Sequence, residues 1–257
     1  MHRFFLSAGE GQGIELTLTG AEAHHAADVL RVRPGERISI LDGAGREFLC
    51  EIVEAARKKV RTRVVEKKTA PSSPFSVTLL QAVPKGKLME GIIQKATELG
   101  AARIVPLLTE RVVMHLDDEG AAQKAEKWRQ TAIEAIKQCG TPWLPRIEEP
   151  LSLAAFMARK ETFELALVGS LQSGARHPRQ CFEEFRARHQ RSPTTLAWWI
   201  GPEGDFTLEE LALIRSTGAQ PVSFGSNVLR CETAATYALS IVNYELGDPG
   251  SALEEKN

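Results

Sequence analysis

Between Ile14 and Val65, apolar and polar positions alternate in short runs such as Arg37-Ile-Ser-Ile-Leu and Glu47-Phe-Leu-Cys-Glu-Ile-Val. A period of two turns one face of a strand toward a core and the other toward water. Pro34-Gly35 and Asp42-Gly43-Ala-Gly45 interrupt the runs with residues suited to tight turns. The pattern predicts a small β-barrel over residues 1–70. Ala70-Pro-Ser-Ser-Pro74 then reads as a linker, since two prolines in five residues continue neither strand nor helix.

Beyond the linker the period changes. Phe75-Ser-Val-Thr-Leu-Leu reads as a strand, and Leu88, Ile92, Ala96 and Leu99 share a helical face that Gly100 ends. Ala102–Leu108 reads as a second strand, and Trp128, Ala132, Ala135, Ile136 and Cys139 mark another amphipathic helix. Leu165-Ala-Leu-Val168 and Leu196-Ala-Trp-Trp-Ile200 are continuous apolar runs of the length of strands buried in a parallel sheet. Strand alternating with helix predicts an α/β layer domain over residues 75–247, with a frayed polar tail at 248–257.

The chain has 257 residues, 43% hydrophobic and 25% charged, enough for one large core or two smaller ones. No run approaches the ~18 apolar residues of a membrane helix, and Met1-His-Arg-Phe-Phe-Leu lacks the apolar length of a signal peptide, so a cytoplasmic location is expected. Cys50, Cys139, Cys181 and Cys231 are far apart, which suggests reduced thiols and no zinc site. Lys and Arg number 32 against 33 Asp and Glu, so any nucleic-acid surface must be local. One dense basic segment exists: Arg57, Lys58, Lys59, Arg61, Arg63, Lys67 and Lys68, with Glu66 opposing. It reads either as a charged edge strand guarded against sheet pairing or as a surface that tracks phosphates.

Two loops carry candidate chemistry. Ile200-Gly-Pro-Glu-Gly-Asp-Phe-Thr207 follows a buried strand and precedes a helix with a Thr207–Glu210 capping box. A Gly-Pro-x-Gly turn brings backbone close to a ligand, and ligands of parallel sheets sit beyond the carboxyl ends of strands. Val222-Ser-Phe-Gly-Ser-Asn-Val-Leu-Arg-Cys-Glu-Thr-Ala-Ala235 is a second strand-to-helix passage, placing Arg230 and Glu232 at a helix N-terminus. The bland reading is a plain turn for the first and an Arg230–Glu232 ion pair with Thr233 as cap for the second.

Gly201-Pro-Glu-Gly-x-Phe, Leu229-Arg-x-Glu-Thr-Ala234, Gln94-Lys-Ala-Thr-Glu-Leu-Gly100 and Gln138-Cys-Gly140 are joined by Arg3-Phe-Phe and His25-x4-Leu-Arg31. Together they resemble the RsmE-type 16S ribosomal RNA uridine-N3 methyltransferases of the SPOUT class, in order and over nearly the whole chain. The resemblance implies an N-terminal PUA-like, RNA-binding barrel and a SPOUT domain whose C-terminal segment is tucked through a loop as a trefoil knot. It further implies a homodimer that binds S-adenosyl-L-methionine in the knot and acts in rRNA processing on a uridine of the assembled small ribosomal subunit. Carried over by position, the cofactor cleft comprises Leu167, Val168, Gly169 and Ser170; Ile200, Gly201, Pro202, Glu203 and Gly204; and Phe224, Gly225, Leu229, Arg230, Glu232, Thr233 and Ala234. Asp205 stands where the family usually has glycine, Ser226-Asn227 where Pro-Arg is common, and Thr141 where arginine often follows Gln-Cys-Gly.

The cofactor's sulfonium already activates the methyl, so no metal is called for, and the protein must align the nucleophile and manage one proton. Uridine N3 is a poor nucleophile until deprotonated; Arg230 is the expected stabiliser of the resulting anion, with Glu232 positioning it or accepting the proton. Arg3, Arg31, Lys58, Lys59, Arg61 and Arg63 are expected to hold RNA phosphates. His24 and His25 read as capping or packing groups, Lys95 and Glu98 as a surface pair, and Trp198 and Trp199 as core. The competing functions are a related SPOUT enzyme acting on tRNA or a ribose hydroxyl, and a non-catalytic RNA-binding protein of the same fold.

Overall fold

The structure, a computed structural model, describes residues 1–10, 13–112 and 118–247; the tail expected at 248–257 lies outside them. The described residues cluster into two units, 1–72 with 132–144, and 73–131 with 145 onward.

In the first unit the alternating runs become β1 (Arg3–Phe5), β2 (Glu15–Thr19), β3 (Arg37–Leu41), β4 (Arg46–Ala56) and β5 (Lys59–Thr69). They form one sheet in the order β1-β3-β4-β5-β2, with β1 parallel to β3 and the other neighbours antiparallel. β1 and β2 end that order without pairing, so the expected barrel is a curled half-barrel. Its inward positions are those the alternation marks, among them Leu16, Leu18, Ile38, Ile40, Phe48, Ile52 and Val60. Helix α1 (Gly20–His24) runs into a π turn at His25–Val29, where the Leu30 N–H reaches the His25 carbonyl at 2.9 Å. Thr19 is the N-cap, so the histidines do not cap; His24 Nδ1 lies 2.6 Å from the Asp28 carboxylate and the His25 ring meets Phe4 edge-on.

Residues 132–144, far away in sequence, pack with this sheet. Arg3 donates to the carbonyls of Lys137 and Gln138, both at 3.2 Å, satisfying acceptors that a helix end leaves open. Gly45, at φ +90, accepts the Trp143 ring where a Cβ would stand 2.4 Å from it.

In the second unit seven strands are all parallel: β6 (Ser76–Ala82), β7 (Arg103–Leu108), β8 (Arg146–Ile147), β9 (Leu151–Ser152), β10 (Leu165–Gly169), β11 (Thr195–Ile200) and β12 (Gln220–Val222). The order is β12-β10-β11-β6-β7-β8, with β9 also on β7. The continuous apolar runs lie at its centre, with Leu167, Trp198 and Leu79 in lateral register. Helices α2 (Leu88–Glu98), α3 (Asp118–Cys139), α4 (Leu153–Ala158), α5 (Pro178–His189), α6 (Leu208–Ser216) and α7 (Cys231–Leu246) complete the chain. On α2 the buried residues are Met89, Ile92, Ile93, Ala96 and Thr97, so the apolar face is rotated from the expected one and Leu88 is 40% exposed. α7 packs along α2, and Asn243 Nδ2 donates to the Leu99 carbonyl at 3.0 Å. Because neighbouring strands are parallel, the carboxyl ends of β12, β10, β11 and β6 share one edge of the sheet, where ligand sites of such sheets form.

Candidate active site at the strand ends

At that edge, within the second unit, the loops after β10, β11 and β12 enclose a cavity of about 840 Å³. Of the residues expected to hold a cofactor, Gly169, Ser170, Ile200, Gly201, Pro202, Glu203, Phe224, Gly225, Leu229, Arg230, Glu232 and Ala234 line it. Leu167 and Val168 do not, because as fully buried β10 residues they fill the core beneath. Gly204 is also outside the lining, and Thr233 opens on a separate groove. Leu88, the 171–175 loop, Asp205, Ser223, Ser226, Asn227, Val228 and Cys231 complete the wall, and sequence reasoning did not assign them to it. Leu88 arrives from a helix more than eighty positions upstream of the nearest loop, and Leu171-Gln-Ser-Gly-Ala175 has no pattern beyond that of a surface turn.

The loop 201–206 is tied from three sides. The Lys85 amide donates to Glu203 Oε1 at 2.9 Å, so that carboxylate is engaged in holding backbone. Arg111 Nη1 donates to the Gly204 carbonyl, and the Glu110 amide donates to Glu210 Oε1 at 2.8 Å. Glu210 also closes the capping box with Thr207, as the sequence suggests. Asp205 adopts φ +63, a left-handed conformation that favours glycine, and its Oδ1 accepts from the Phe206 amide at 2.8 Å. On the opposite wall the Phe224 ring lies 5.5 Å from both Trp198 and Tyr237. Cys231 is buried, and burial, reinforced by the Glu203 and Glu232 carboxylates, pushes its thiol up to about 11. It is therefore protonated at neutral pH and is not a nucleophile.

Arg230 is the N-cap of α7, exposed, with no side-chain partner among the described residues. The expected Arg230–Glu232 ion pair is not formed, and Thr233 lies within the first turn, where it cannot cap the helix. A guanidinium at the positive end of a helix dipole is electrostatically unfavourable by itself and suits a site that receives negative charge. Glu232 borders a second, smaller cavity of about 310 Å³ with Lys95, Thr233, Thr236, Tyr237 and Ser240. Lys95 is not paired with Glu98; Gln94 Nε2 donates to Glu98 Oε1 at 3.2 Å instead. Among the described residues, no three His, Cys, Asp or Glu side chains gather as metal ligands.

In the first unit the basic segment is largely neutralised. Arg61 pairs with Glu15 at 3.2 Å and Glu54 at 3.4 Å, Arg63 with Glu51 at 3.2 Å, Arg57 with Asp28 at 3.2 Å, and Lys68 with Glu66 at 3.7 Å. Lys58 and Lys59 have no ion-pair partner among the described residues. Arg31 is exposed at φ +54, and Arg3 is occupied by the carbonyls of 137 and 138.

The pattern of the RNA methyltransferase domain matches residues 71–243, and that of the RNA methyltransferase PUA domain matches 18–65. The ribosomal RNA small subunit methyltransferase E of Bacillus subtilis (strain 168) is 31% identical over 249 residues, 95% of this chain and 97% of its own. The chain belongs to the ribosomal RNA small subunit methyltransferase E family. A Legionella pneumophila structure, described as a methyltransferase with the bound cofactor SAM, superposes with a TM-score of 0.83 at 33% identity, covering 94% of this chain and 96% of its own. The Neisseria gonorrhoeae ribosomal RNA small subunit methyltransferase E, bound to S-adenosyl methionine, gives 0.80 at 25% identity, covering 95% and 97%. Asp205, where the resemblance implies a glycine, falls at a left-handed residue, a conformation in which a glycine is at ease. Ser226 and Asn227 lie on the exposed rim of the cavity, and Thr141 belongs to the first unit.

Proposed function

We propose that this protein transfers a methyl group from S-adenosyl-L-methionine to N3 of a uridine in 16S rRNA of the small ribosomal subunit. The observation that carries the reading is one cavity that the loops after three successive strands, β10, β11 and β12, build together. Its volume is within the roughly 300–1,000 Å³ typical of small-molecule sites. Its wall combines glycine and serine backbone with Leu88, Ile200, Phe224 and Leu229, a lining that fits a nucleoside joined to a charged amino acid. Gly169, Ser170, Gly201, Pro202 and Gly225 would cradle the cofactor. Once bound, it supplies a methyl on a positively charged sulfur.

The rest falls to side chains of this chain. Arg230, unpaired and at the mouth, stabilises the negative charge that appears on the uracil carbonyl oxygens as N3 loses its proton. Glu232 is free of Arg230 and stands between the two cavities, which supports it as the proton acceptor. Lys58, Lys59 and Arg31 would hold flanking phosphates, and the target base must leave its stack to reach the site. The resemblance also supports a trefoil knot at the cofactor loops, cytoplasmic action on ribosomal particles, and a homodimer. Val228 and Tyr244, 75% and 77% exposed, are apolar surface of the kind a subunit contact covers.

Incubation with unmodified small subunits and labelled cofactor, followed by mass spectrometry of the rRNA, should locate methyl on one uridine N3. Product on free tRNA and none on subunits would overturn the reading. Calorimetry with S-adenosyl-L-methionine should give heat, which a pure RNA binder would lack.

A further inference from the structure

The second segment of the first unit, residues 132–144, ends in a loop from Gly140 to Leu144 that takes no part in the cofactor reading. In it Trp143 is 41% exposed, and it is the one exposed aromatic side chain of that unit among the described residues. We propose that the free face of Trp143 is a stacking platform for an unpaired base of the RNA, with Arg3 beside it to meet the backbone phosphate. The proposal rests on the rRNA-methylation reading above and deepens it, giving the first unit a nucleotide subsite of its own.

The ring is held in place on every side but one. An Ala44–Trp143 bridge, the Gly45 amide on the Pro142 carbonyl at 2.9 Å and the Leu144 amide on the Gly43 carbonyl at 3.0 Å fix its backbone. Nε1 donates to the Pro71 carbonyl at 3.2 Å, which fixes the indole edge. A Cβ on Gly45 would stand 2.4, 2.7 and 2.8 Å from three adjacent atoms of the six-membered ring. Distances so nearly equal place the glycine over the ring and not beyond its edge, so one face is covered and the exposure belongs to the other. Gly140 does the same for a cation. A Cβ there would meet Arg3 Cζ and Nη2 at 2.8 Å and Nε at 3.1 Å, so the guanidinium lies flat on that backbone. Nη1 is engaged by the carbonyls of Lys137 and Gln138, whereas Nε and Nη2 have no bond among the described residues. Positions 140 and 143 can be at most about 11 Å apart. A fixed aromatic face beside unengaged guanidinium donors suits a single-stranded nucleotide, its base on the ring and its phosphate on the fork. Because the ring is already ordered, stacking costs little further entropy.

Trp128, Trp198 and Trp199 are buried, so quenching of tryptophan emission by short single-stranded oligoribonucleotides reports on Trp143. Saturable quenching is expected for wild type and should be lost in Trp143→Leu, which keeps an apolar contact on Gly45 but offers no ring. In methyl transfer to unmodified small subunits, Trp143→Leu should raise KM for the subunit about tenfold and Trp143→Phe should restore most of the loss. Calorimetry should find S-adenosyl-L-methionine affinity the same in all three. Equal KM in wild type and Trp143→Leu would overturn the platform. Equal loss in Trp143→Phe and Trp143→Leu, with matching falls in melting temperature, would make the ring a structural residue and overturn it too. A raised KM with wild-type emission unmoved by oligoribonucleotides would give the ring to a ribosomal protein, which also overturns the proposal. A wild type that transfers nothing to subunits would remove the functional reading instead, while the quenching still decides the platform.

Discussion

Arg230 illustrates how little a residue's identity says without its surroundings. In the sequence it is a cation near a carboxylate; in the structure it stands at the N-cap position of α7, its guanidinium unpaired among the described residues and lining a cavity. Because it makes no structural bond there, Arg230→Ala should abolish methyl transfer while leaving cofactor affinity and melting temperature nearly unchanged. Retained turnover on small subunits would remove it from the chemistry. Asp205 is the reverse case, a residue whose backbone matters more than its charge. Its left-handed conformation costs about 1 kcal/mol for any residue with a Cβ, offset here by the bond from the Phe206 amide. Asp205→Ala loses the bond and keeps the strain, so urea denaturation should show a loss of about 1–2 kcal/mol. Asp205→Gly loses both and should lie within about 0.5 kcal/mol of the parent.

At the scale of elements, the 201–206 loop is shaped by a neighbour that the sequence gives no reason to associate with it. Arg111, just beyond β7, holds the Gly204 carbonyl, while the adjacent Glu110 amide holds the capping-box glutamate of α6. Removing one charge-assisted bond from an exposed loop costs on the order of 1 kcal/mol. Arg111→Ala should accordingly weaken S-adenosyl-L-methionine binding several-fold in calorimetry while kcat at saturation holds. A lower kcat at unchanged affinity would show that the loop is set by other contacts. The basic hairpin divides in a similar way. Arg61 and Arg63 are matched by glutamates of β2 and β4, and they stabilise the sheet surface in the manner of a guarded strand. Lys58→Glu with Lys59→Glu should flatten the salt dependence of RNA binding, whereas Arg61→Ala should leave the slope as it is. Equal effects would return the whole strand to RNA contact.

For the whole molecule, the second unit is cross-linked by an ionic cluster. Arg103 bonds Glu148 at 2.7 Å and Glu161 at 2.5 Å, and Arg159 reaches Glu148 at 2.6 Å. Burial alone would raise Glu148, but hydrogen bonds from Arg159 and Arg103 outweigh it and hold the carboxyl below its ordinary value of 4.5. Arg103, chiefly, holds Glu161 down as well. A carboxyl lowered on folding stabilises the native state above its ordinary value and loses that contribution as pH falls through the lowered one. Melting temperature should therefore hold near neutrality and fall steeply below about pH 4.5. Glu148→Gln should lose about 2 kcal/mol at pH 7 and show a shallower acid limb.

The alternation of Ile14 to Val65 and the apolar runs at 165–168 and 196–200 were enough to place strands, because burying a face of a strand demands that spacing whatever it packs on. The same holds for the Thr207–Glu210 cap and the Gly100 stop, which are local bonds between near neighbours. Motif order indicated the family and half of the cavity lining. The sequence could not show that Leu167 and Val168 stop short of the cavity, that Thr233 leaves it, that Lys95 is without an ion-pair partner among the described residues, or that residues 132–144 pack with the N-terminal sheet. Each of these depends on which distant surface a side chain meets, and that is decided only when strands align in register and helices settle on them. Local sequence determined the elements; the tertiary structure decided which residues are neighbours, and so which charges are neutralised and which remain available for chemistry.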